Sequence, residues 1–171
     1  LVWAAGVTVK PITGLNPEVI GRGGRMKVDE FNRVKGYENI FAIGDAAIME
    51  GVDKNFPNGH PQVAPPAMQQ GRLVAKNIQR IITKKKLVPF KYTDQGSMAT
   101  IGRNKAVVDL KIPVRLKTQG TLAWLIWMFV HLMSLVGARN RVMVLINWVS
   151  SYLTYDKSNR VIIARPKDGV S

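Results

Sequence analysis

Three stretches of this sequence carry side chains able to hold a ligand. The first is "NIFAIGDAA" (39–47), where an apolar run stops at Gly44, places the carboxylate of Asp45, and continues with two alanines. A carboxylate only accepts hydrogen bonds, which suits it to the vicinal hydroxyls of a sugar or sugar alcohol. Gly44 and the pair Ala46-Ala47 leave space for a ligand to approach the backbone. If Asp45 ends a buried strand of an open α/β sheet, it lies where such folds bind ligands. The same letters also spell an ordinary strand-to-turn ending. The second stretch, "HPQVAPPAMQQ" (60–70), leads into a helix whose first turn holds Pro65 and Pro66. Proline lacks an N–H and disfavours helical backbone in the residue before it, so the helix is expected to start near Pro66. Its free N–H groups and partial positive charge favour an electron-rich group. Gln69 and Gln70 follow, neutral groups able to reach a carbonyl oxygen or simply to form an exposed polar turn. The third is His131, set in an apolar run, where either a proton donor or a hydrogen-bonded core histidine is consistent with the sequence.

No other catalytic chemistry is in view. The chain has no cysteine and two histidines, His60 and His131. Disulfides, thiolate metal sites and a redox dithiol are excluded, and a histidine-based metal cluster has too few ligands. No side chain stands out as a catalytic acid or base.

The elements that must position these groups follow from the periodicity. Residues 1–9 read as one buried strand turning at Lys10-Pro11, and "ITGLNPEVIGRGGR" as loop. "MKVDEFNRV" alternates as a half-buried strand, "KGYEN" turns, and "IFAIGD" is a short apolar strand ending at Asp45. Apolar residues at 67, 73, 74, 78, 81 and 82 predict a helix burying one stripe, with Lys84-Lys85-Lys86 at the negative end of its dipole. Residues 87–116 read as two or three antiparallel strands with glycine-containing turns. The chain opens without methionine on what reads as an interior strand, and is expected to be a portion of a longer polypeptide.

The charge is unevenly placed. Residues 1–60 hold seven basic and seven acidic side chains, so the whole net charge of +14 falls on residues 61–171, with 18 basic against 4 acidic. Those C-terminal two-thirds also contain "LAWLIWMFVHLMSLV" (122–136), the basic break "GARNR", and "VMVLINWVSSYLTY" (142–155). The first run has 15 residues, short of the ~20 a bilayer-spanning helix needs. Trp124, Trp127, Trp148, Tyr152 and Tyr155 lie in these runs, and Lys111, Arg115, Lys117, Arg139, Arg141, Lys157, Arg160 and Arg165 flank them. Aromatic ends and flanking cations suit the headgroup layer, so these segments are expected to lie in one leaflet, with Phe129 among the contacts. Core or dimer-interface helices would share the apolar pattern. Nucleic-acid binding would need cations interleaved along one helix face, and here they flank the apolar runs.

Taken in order, "WAAGV", "NIFAIGDAA", "HPQVAPPAMQQGRLVAKNI", "GSMATIGRNKAVVDL" and "LAWLIWMFVHLMSLVGARNRVMVLINWVSSYLTYD" resemble the C-terminal part of type II NADH:quinone oxidoreductases. These are single-chain, FAD-dependent, non-proton-pumping NADH dehydrogenases of respiratory membranes. "AIGD" is shared with many flavoproteins, whereas the apolar tail is more specific to this family. The resemblance implies an α/β fold, part of a two-dinucleotide-binding-domain flavoprotein without its N-terminal part, plus a C-terminal helical membrane-docking region. It implies the end of an NADH domain and linker at 1–24, the C-terminal part of an FAD domain at 25–117, and a docking tail at 118–171. It implies that Gly44 and Asp45 bind the ribityl chain of FAD, and that Gln62, Val63 and Ala64 approach the pyrimidine end of its ring. The family's quinone motif, Ala-Gln-x-Ala-x-Gln, falls on Ala64-Pro65-Pro66-Ala67-Met68-Gln69, with Pro65 where the first glutamine is expected. Gln69, Trp124 and Trp127 are then the quinone-site residues, and Trp124, Trp127, Phe129, Trp148, Arg139 and Arg141 the membrane contacts. The implied setting is peripheral, on the cytoplasmic face of the inner (cytoplasmic) membrane, with a membrane quinone, an anionic lipid surface and a possible homodimer partner. A flavoprotein reductase with a soluble acceptor, or a non-catalytic membrane-surface or oligomerisation module, would share several of these features. The chain contains no G-x-G-x-x-G, since "GRGGR" (21–25) lacks that spacing. By itself it is expected to hold no NADH and to bind FAD poorly.

Overall fold

The computed structural model describes residues 6, 8–10 and 12–154. The expected opening strand, along with Tyr155, Lys157, Arg160 and Arg165, falls largely outside them. The chain divides into two compact units between Gln95 and Gly96. The three-stranded sheet therefore groups with the helices that follow it, whereas a tail starting at residue 118 would have separated them.

The first unit is α/β. Its strands are short: β1 (Met26–Lys27) pairs in parallel with β2 (Ala47–Ile48), and single bridges join Ile20 to Met26, Val28 to Val34 and Arg33 to Phe41. Alternation places Met26 and Val28 inside with Val34, Ala42, Ala47, Met49 and Phe90. The apolar run at 40–43 makes bridges but no named strand, and the strand β2 comes after Asp45 instead of before it. The reason is local. Gly44 has φ +61° and starts a single 3-10 turn, Gly44–Ala46, which breaks the run just before the carboxylate.

Helix α1 spans Ala64–Ile82, two residues earlier than expected, with Pro65 and Pro66 inside its first turn. First-turn N–H groups have no intrahelical acceptor, so prolines there cost no helical hydrogen bond. The helix ends at Thr83, and Lys84 takes the left-handed conformation (φ +52°) that closes helix C-termini. The buried face of α1 takes in only part of the apolar stripe, with Leu73 packed against the core. Pro66, Gln70 and Asn77 are its buried residues, while Ile78, Ile81 and Ile82 are exposed.

That polar face has a specific task. The Gln69 amide accepts from Thr93 N–H and donates to Thr93 C=O, both at 2.9 Å. Two turns on, Asn77 makes the same pair of bonds with Val88, also at 2.9 Å, and Arg80 Nε donates to Lys86 C=O. A primary amide presents the same donor and acceptor as a peptide group. The extended segment 86–93 is thus bound along α1 by side chains standing in for a neighbouring strand.

The second unit is an antiparallel sheet, β3 (Gly96–Gly102), β4 (Lys105–Leu110) and β5 (Leu116–Gly120), in sequential order. The expected strands are all present. Ala106 and Val108 point to one face and pack with Ala123 of helix α2 (Thr121–Ser134). Helix α3 (Ala138–Thr154) has no buried residue. Of the basic "GARNR", Gly137 lies in the break between the helices, and Arg139 and Arg141 fall in the first turn of α3, where cations oppose the helix dipole. Arg141 compensates by turning back: its guanidinium donates to Leu135 C=O at 3.0 Å and Met133 C=O at 3.1 Å, capping α2.

Candidate functional site

In the first unit, the turn Gly44–Ala46 seats on the N-terminal part of α1. A Cβ at Gly44 would stand 3.0 Å from the Cβ of Ala67, so the turn and the helix approach closely only because residue 44 is glycine. Gln70, one turn further, is buried and accepts Gly44 N–H at 2.7 Å. Gln62 donates to the Asp45 carbonyl at 3.5 Å, a long contact. Asp45 itself is exposed.

The helix end next to it is uncapped by any side chain. Val63 N–H is used locally, on Pro61 C=O at 3.0 Å, and residues 65 and 66 have no N–H. Ala64 is therefore the residue whose N–H the first turn can offer outward. Uncapped helix ends and small residues suit an electron-rich ligand lying against the backbone.

Arg25 was not among the expected site residues. Its Nε donates to Ala47 C=O at 2.9 Å and its Nη2 to His60 C=O at 3.3 Å, tying β2 to the loop that leads into α1. Burial lowers its pKa, and the carboxylates of Asp45 and then Glu50 act in the opposite sense. It remains a cation beneath the turn that carries Asp45. Nothing in the spacing of "GRGGR" marks it. His60 is buried too, with Nε2 3.3 Å from Asp53 Oδ2 and its ring against Phe56, Phe90 and Tyr92.

Gln69 does not project freely as a ligand for a carbonyl oxygen; both ends of its amide are engaged by Thr93. Trp124 and Trp127 lie in the second unit, where with Trp148 they line an open apolar cleft of about 710 Å³ between α2, α3 and the β3–β4 turn. Trp127 stacks on His131 with centroids 3.9 Å apart and on Trp148 at 6.3 Å. His131 is exposed and not in a core; its Nδ1 lies 2.7 Å from Trp127 C=O, four residues back. Phe129 is 63% exposed, in a row with Leu122, Leu125 and Met133 along α2. Within the unit α2 has Ala123 as its buried residue and α3 has none. Among the described residues no helix is long and apolar enough to cross a membrane, and no group of side chains could hold a metal.

Residues 95–155 match the family of NDH2 C-terminal domains, and residues 1–71 the pyridine nucleotide-disulphide oxidoreductase family. A probable mitochondrial NADH-ubiquinone oxidoreductase of Schizosaccharomyces pombe is 34% identical over 90% of this chain and 33% of its own length. The type II NADH:quinone oxidoreductase NdhA of Mycobacterium tuberculosis is 36% identical over 89% of this chain and 32% of its own length. Residues 95–155 belong to the NDH2 C-terminal domain family, and curated relatives of the chain are type II NADH:quinone oxidoreductases. It spans about a third of the length of the curated relatives it matches. A solved structure of NDH2 from Plasmodium falciparum in complex with NADH superposes with a TM-score of 0.62, covering 77% of this chain and 39% of that one. At 19% identity that likeness is one of fold. The pyridine nucleotide-disulphide oxidoreductase match, residues 1–71, lies within the first unit, and the NDH2 C-terminal domain match falls almost wholly on the second.

Proposed function

We propose that this chain supplies the ribityl-binding turn, the ring-facing helix end and the lipid-facing helices of an FAD-dependent oxidoreductase. That enzyme passes electrons from NADH to a membrane quinone without pumping protons. The observation that carries the reading is the seating of the Gly44–Asp45 turn on the uncapped end of α1, fixed by the bond from Gly44 to Gln70. Asp45 is exposed where it can accept from the ribityl hydroxyls of FAD. Gln62, Val63 and Ala64 face the pyrimidine end of the ring, with Ala64 N–H as the backbone donor. When bound, FAD supplies the two-electron chemistry between NADH and quinone. The chain's own part is to orient that group, set a positive helix end beside it, and leave the lipid side open. Gln69 reaches a quinone carbonyl only by releasing Thr93, so its contribution comes with local opening of the 86–93 segment.

The membrane setting rests on α2 and α3. Leu125, Phe129, Ile146 and Leu153 are each at least half exposed, in the C-terminal two-thirds of the chain that carry the whole net charge of +14. Apolar insertion plus attraction to anionic headgroups suits a peripheral protein on the cytoplasmic face of the inner membrane. A second copy of the chain is the competing cover for α3.

The test places this chain in a polypeptide of the length of its curated relatives, as wild type and as Asp45→Ala. The wild type is expected to purify with FAD and to oxidise NADH with a membrane quinone; Asp45→Ala is expected to lose FAD. Equal flavin content in the two proteins overturns the assignment of Asp45, and turnover restricted to soluble acceptors overturns the quinone. The 171-residue chain alone is expected to be colourless and inert to NADH.

A further inference from the structure

The turn that carries Asp45 is held at both ends. Gln70 accepts the N–H of its first residue, Gly44, at 2.7 Å, and Arg25 Nε donates to the C=O of Ala47, which closes it, at 2.9 Å. Arg25 reaches Ala47 from a fixed base. Its own C=O accepts Gly21 N–H at 2.7 Å, and its neighbour Met26 is in register with Ala47 across β1 and β2. The same guanidinium uses Nη2 to donate to His60 C=O at 3.3 Å, in the approach to α1. His60 is a firm anchor, 4% exposed, with its ring against Phe56, Phe90 and Tyr92. Between the two carbonyls the chain makes a loop, residues 49–59, and Arg25 closes it. Burial lowers the pKa of the guanidinium, and the charges of Asp45 and then Glu50 oppose that.

We propose that Arg25 is the positioning residue of the flavin site, one guanidinium setting the separation between the Asp45 turn and the α1 end that offers Ala64 N–H. This role depends on Asp45 accepting from the ribityl hydroxyls, as proposed above, and adds the side chain that places it. A flavin that meets Asp45 with its ribityl chain and the helix end with its ring needs both at once. Such a pair of contacts tolerates misplacement of only about 0.5 Å. Arginine suits the task for a geometric reason. Its N–H donors are fixed in one plane and serve two carbonyls together, while a lysine ammonium is a compact point charge on a flexible stem. Both bonds end on backbone carbonyls, so Arg25 acts on a ligand through the groups it places.

The test uses the polypeptide of the length of the curated relatives, freed of FAD, and measures FAD affinity by flavin fluorescence, with Asp45→Ala read at higher FAD. Arg25→Gln is expected to weaken binding about tenfold. Arg25→Lys, which keeps the charge and gives up the planar fork, is expected to weaken it nearly as much. In the Asp45→Ala background either substitution is expected to change affinity less than about twofold, because the group being placed is gone. A general loss of stability would not produce that coupling, and equal effects in the two backgrounds overturn the proposal. Full affinity in Arg25→Lys overturns it as well, leaving charge and not geometry as the cause. Where Arg25→Gln does not fold, Arg25→Lys carries the same cycle. Unchanged affinity in Arg25→Gln beside a weakened Asp45→Ala removes the role of Arg25 and leaves Asp45 standing. Full affinity in Asp45→Ala removes both.

Discussion

The side-chain oxygen of Gln70 accepts the backbone N–H of Gly44 at 2.7 Å, and Gln70 is only 3% exposed. The two residues are 26 apart in sequence. One is at the first position of the turn that bears Asp45, the other on the inner face of α1, so this bond sets the height of the carboxylate over the helix end. It is a neutral bond inside the unit, and it satisfies a backbone donor that a left-handed turn would otherwise leave without a strand partner.

Gly44→Ala is expected to destabilise the first unit. A left-handed backbone costs a non-glycine residue about 1–2 kcal/mol, and the new methyl group meets Ala67 Cβ at 3.0 Å. The two causes separate in a double-mutant cycle with Ala67→Gly. Relief of the contact is expected to appear as a coupling of about 0.5–1 kcal/mol, while the backbone cost stays. Urea unfolding of the four proteins measures it; zero coupling means the turn lifts away from the helix freely.

The two amide clasps of α1 should differ sharply in weight. Asn77 is fully buried, so Asn77→Ala strands both the N–H and the C=O of Val88, at a cost of about 2–4 kcal/mol. The Gln69–Thr93 clasp is open to solvent, and Gln69→Ala lets water replace it for about 0.5–1 kcal/mol. Hydrogen exchange at the Val88 amide reads the first change directly: protection is expected to vanish in Asn77→Ala and to survive in Gln69→Ala.

These clasps also mark where the sequence stops being readable. Alternation placed Met26 and Val28 inside, and of the two or three strands expected within 87–116 two lie there while the third runs on as Leu116–Gly120. On α1 the expected stripe at 67, 73, 74, 78, 81 and 82 is only partly covered: Leu73 packs against the core, Ile78, Ile81 and Ile82 are exposed, and the fully buried positions include Gln70 and Asn77. Periodicity sees hydrophobicity; it does not see a primary amide imitating a peptide group. Asp45 was singled out from its neighbours, but its place inside a 3-10 turn depends on the sign of φ at Gly44, which the letters do not carry. Arg25 acts through two carbonyls distant in the chain, and no local pattern records that.

Alkaline stability should depend on Tyr92. Burial, and then the negative charge of Asp94, raise its pKa above the ordinary tyrosine value of 10.0. The folded state therefore holds its proton after the unfolded chain has lost it. The sign follows from linkage: the contribution is complete below pH 10 and is lost as pH rises from there through the folded value. Wild-type stability is expected to fall over that window. Tyr92→Phe, which keeps the ring against Phe56 and His60, is expected to flatten the fall without changing stability at pH 7. Paired thermal melts across the alkaline range check it.

Vesicle binding should separate the apolar and the electrostatic parts of the α2 face. Phe129 is 63% and Leu125 52% exposed, one turn apart on the same row, and neither belongs to the buried cluster beneath Ala123. Replacing both with Asp places carboxylates where acyl chains would be, and leaves the contacts with the sheet intact. Flotation with anionic vesicles is expected to be lost in this variant at every salt concentration. For the wild type, raised salt screens the cationic C-terminal two-thirds of the chain and is expected to weaken flotation without abolishing it, because burial of apolar surface is not screened. Complete loss of wild-type flotation at high salt would mean that the helices never enter the acyl region and only the charges hold the protein to the surface. Retention of flotation by the double-Asp variant would move the contact to α3. Sedimentation of both proteins separates either result from self-association, since a dimer closed through this row would fall apart in the variant whether or not lipid is present.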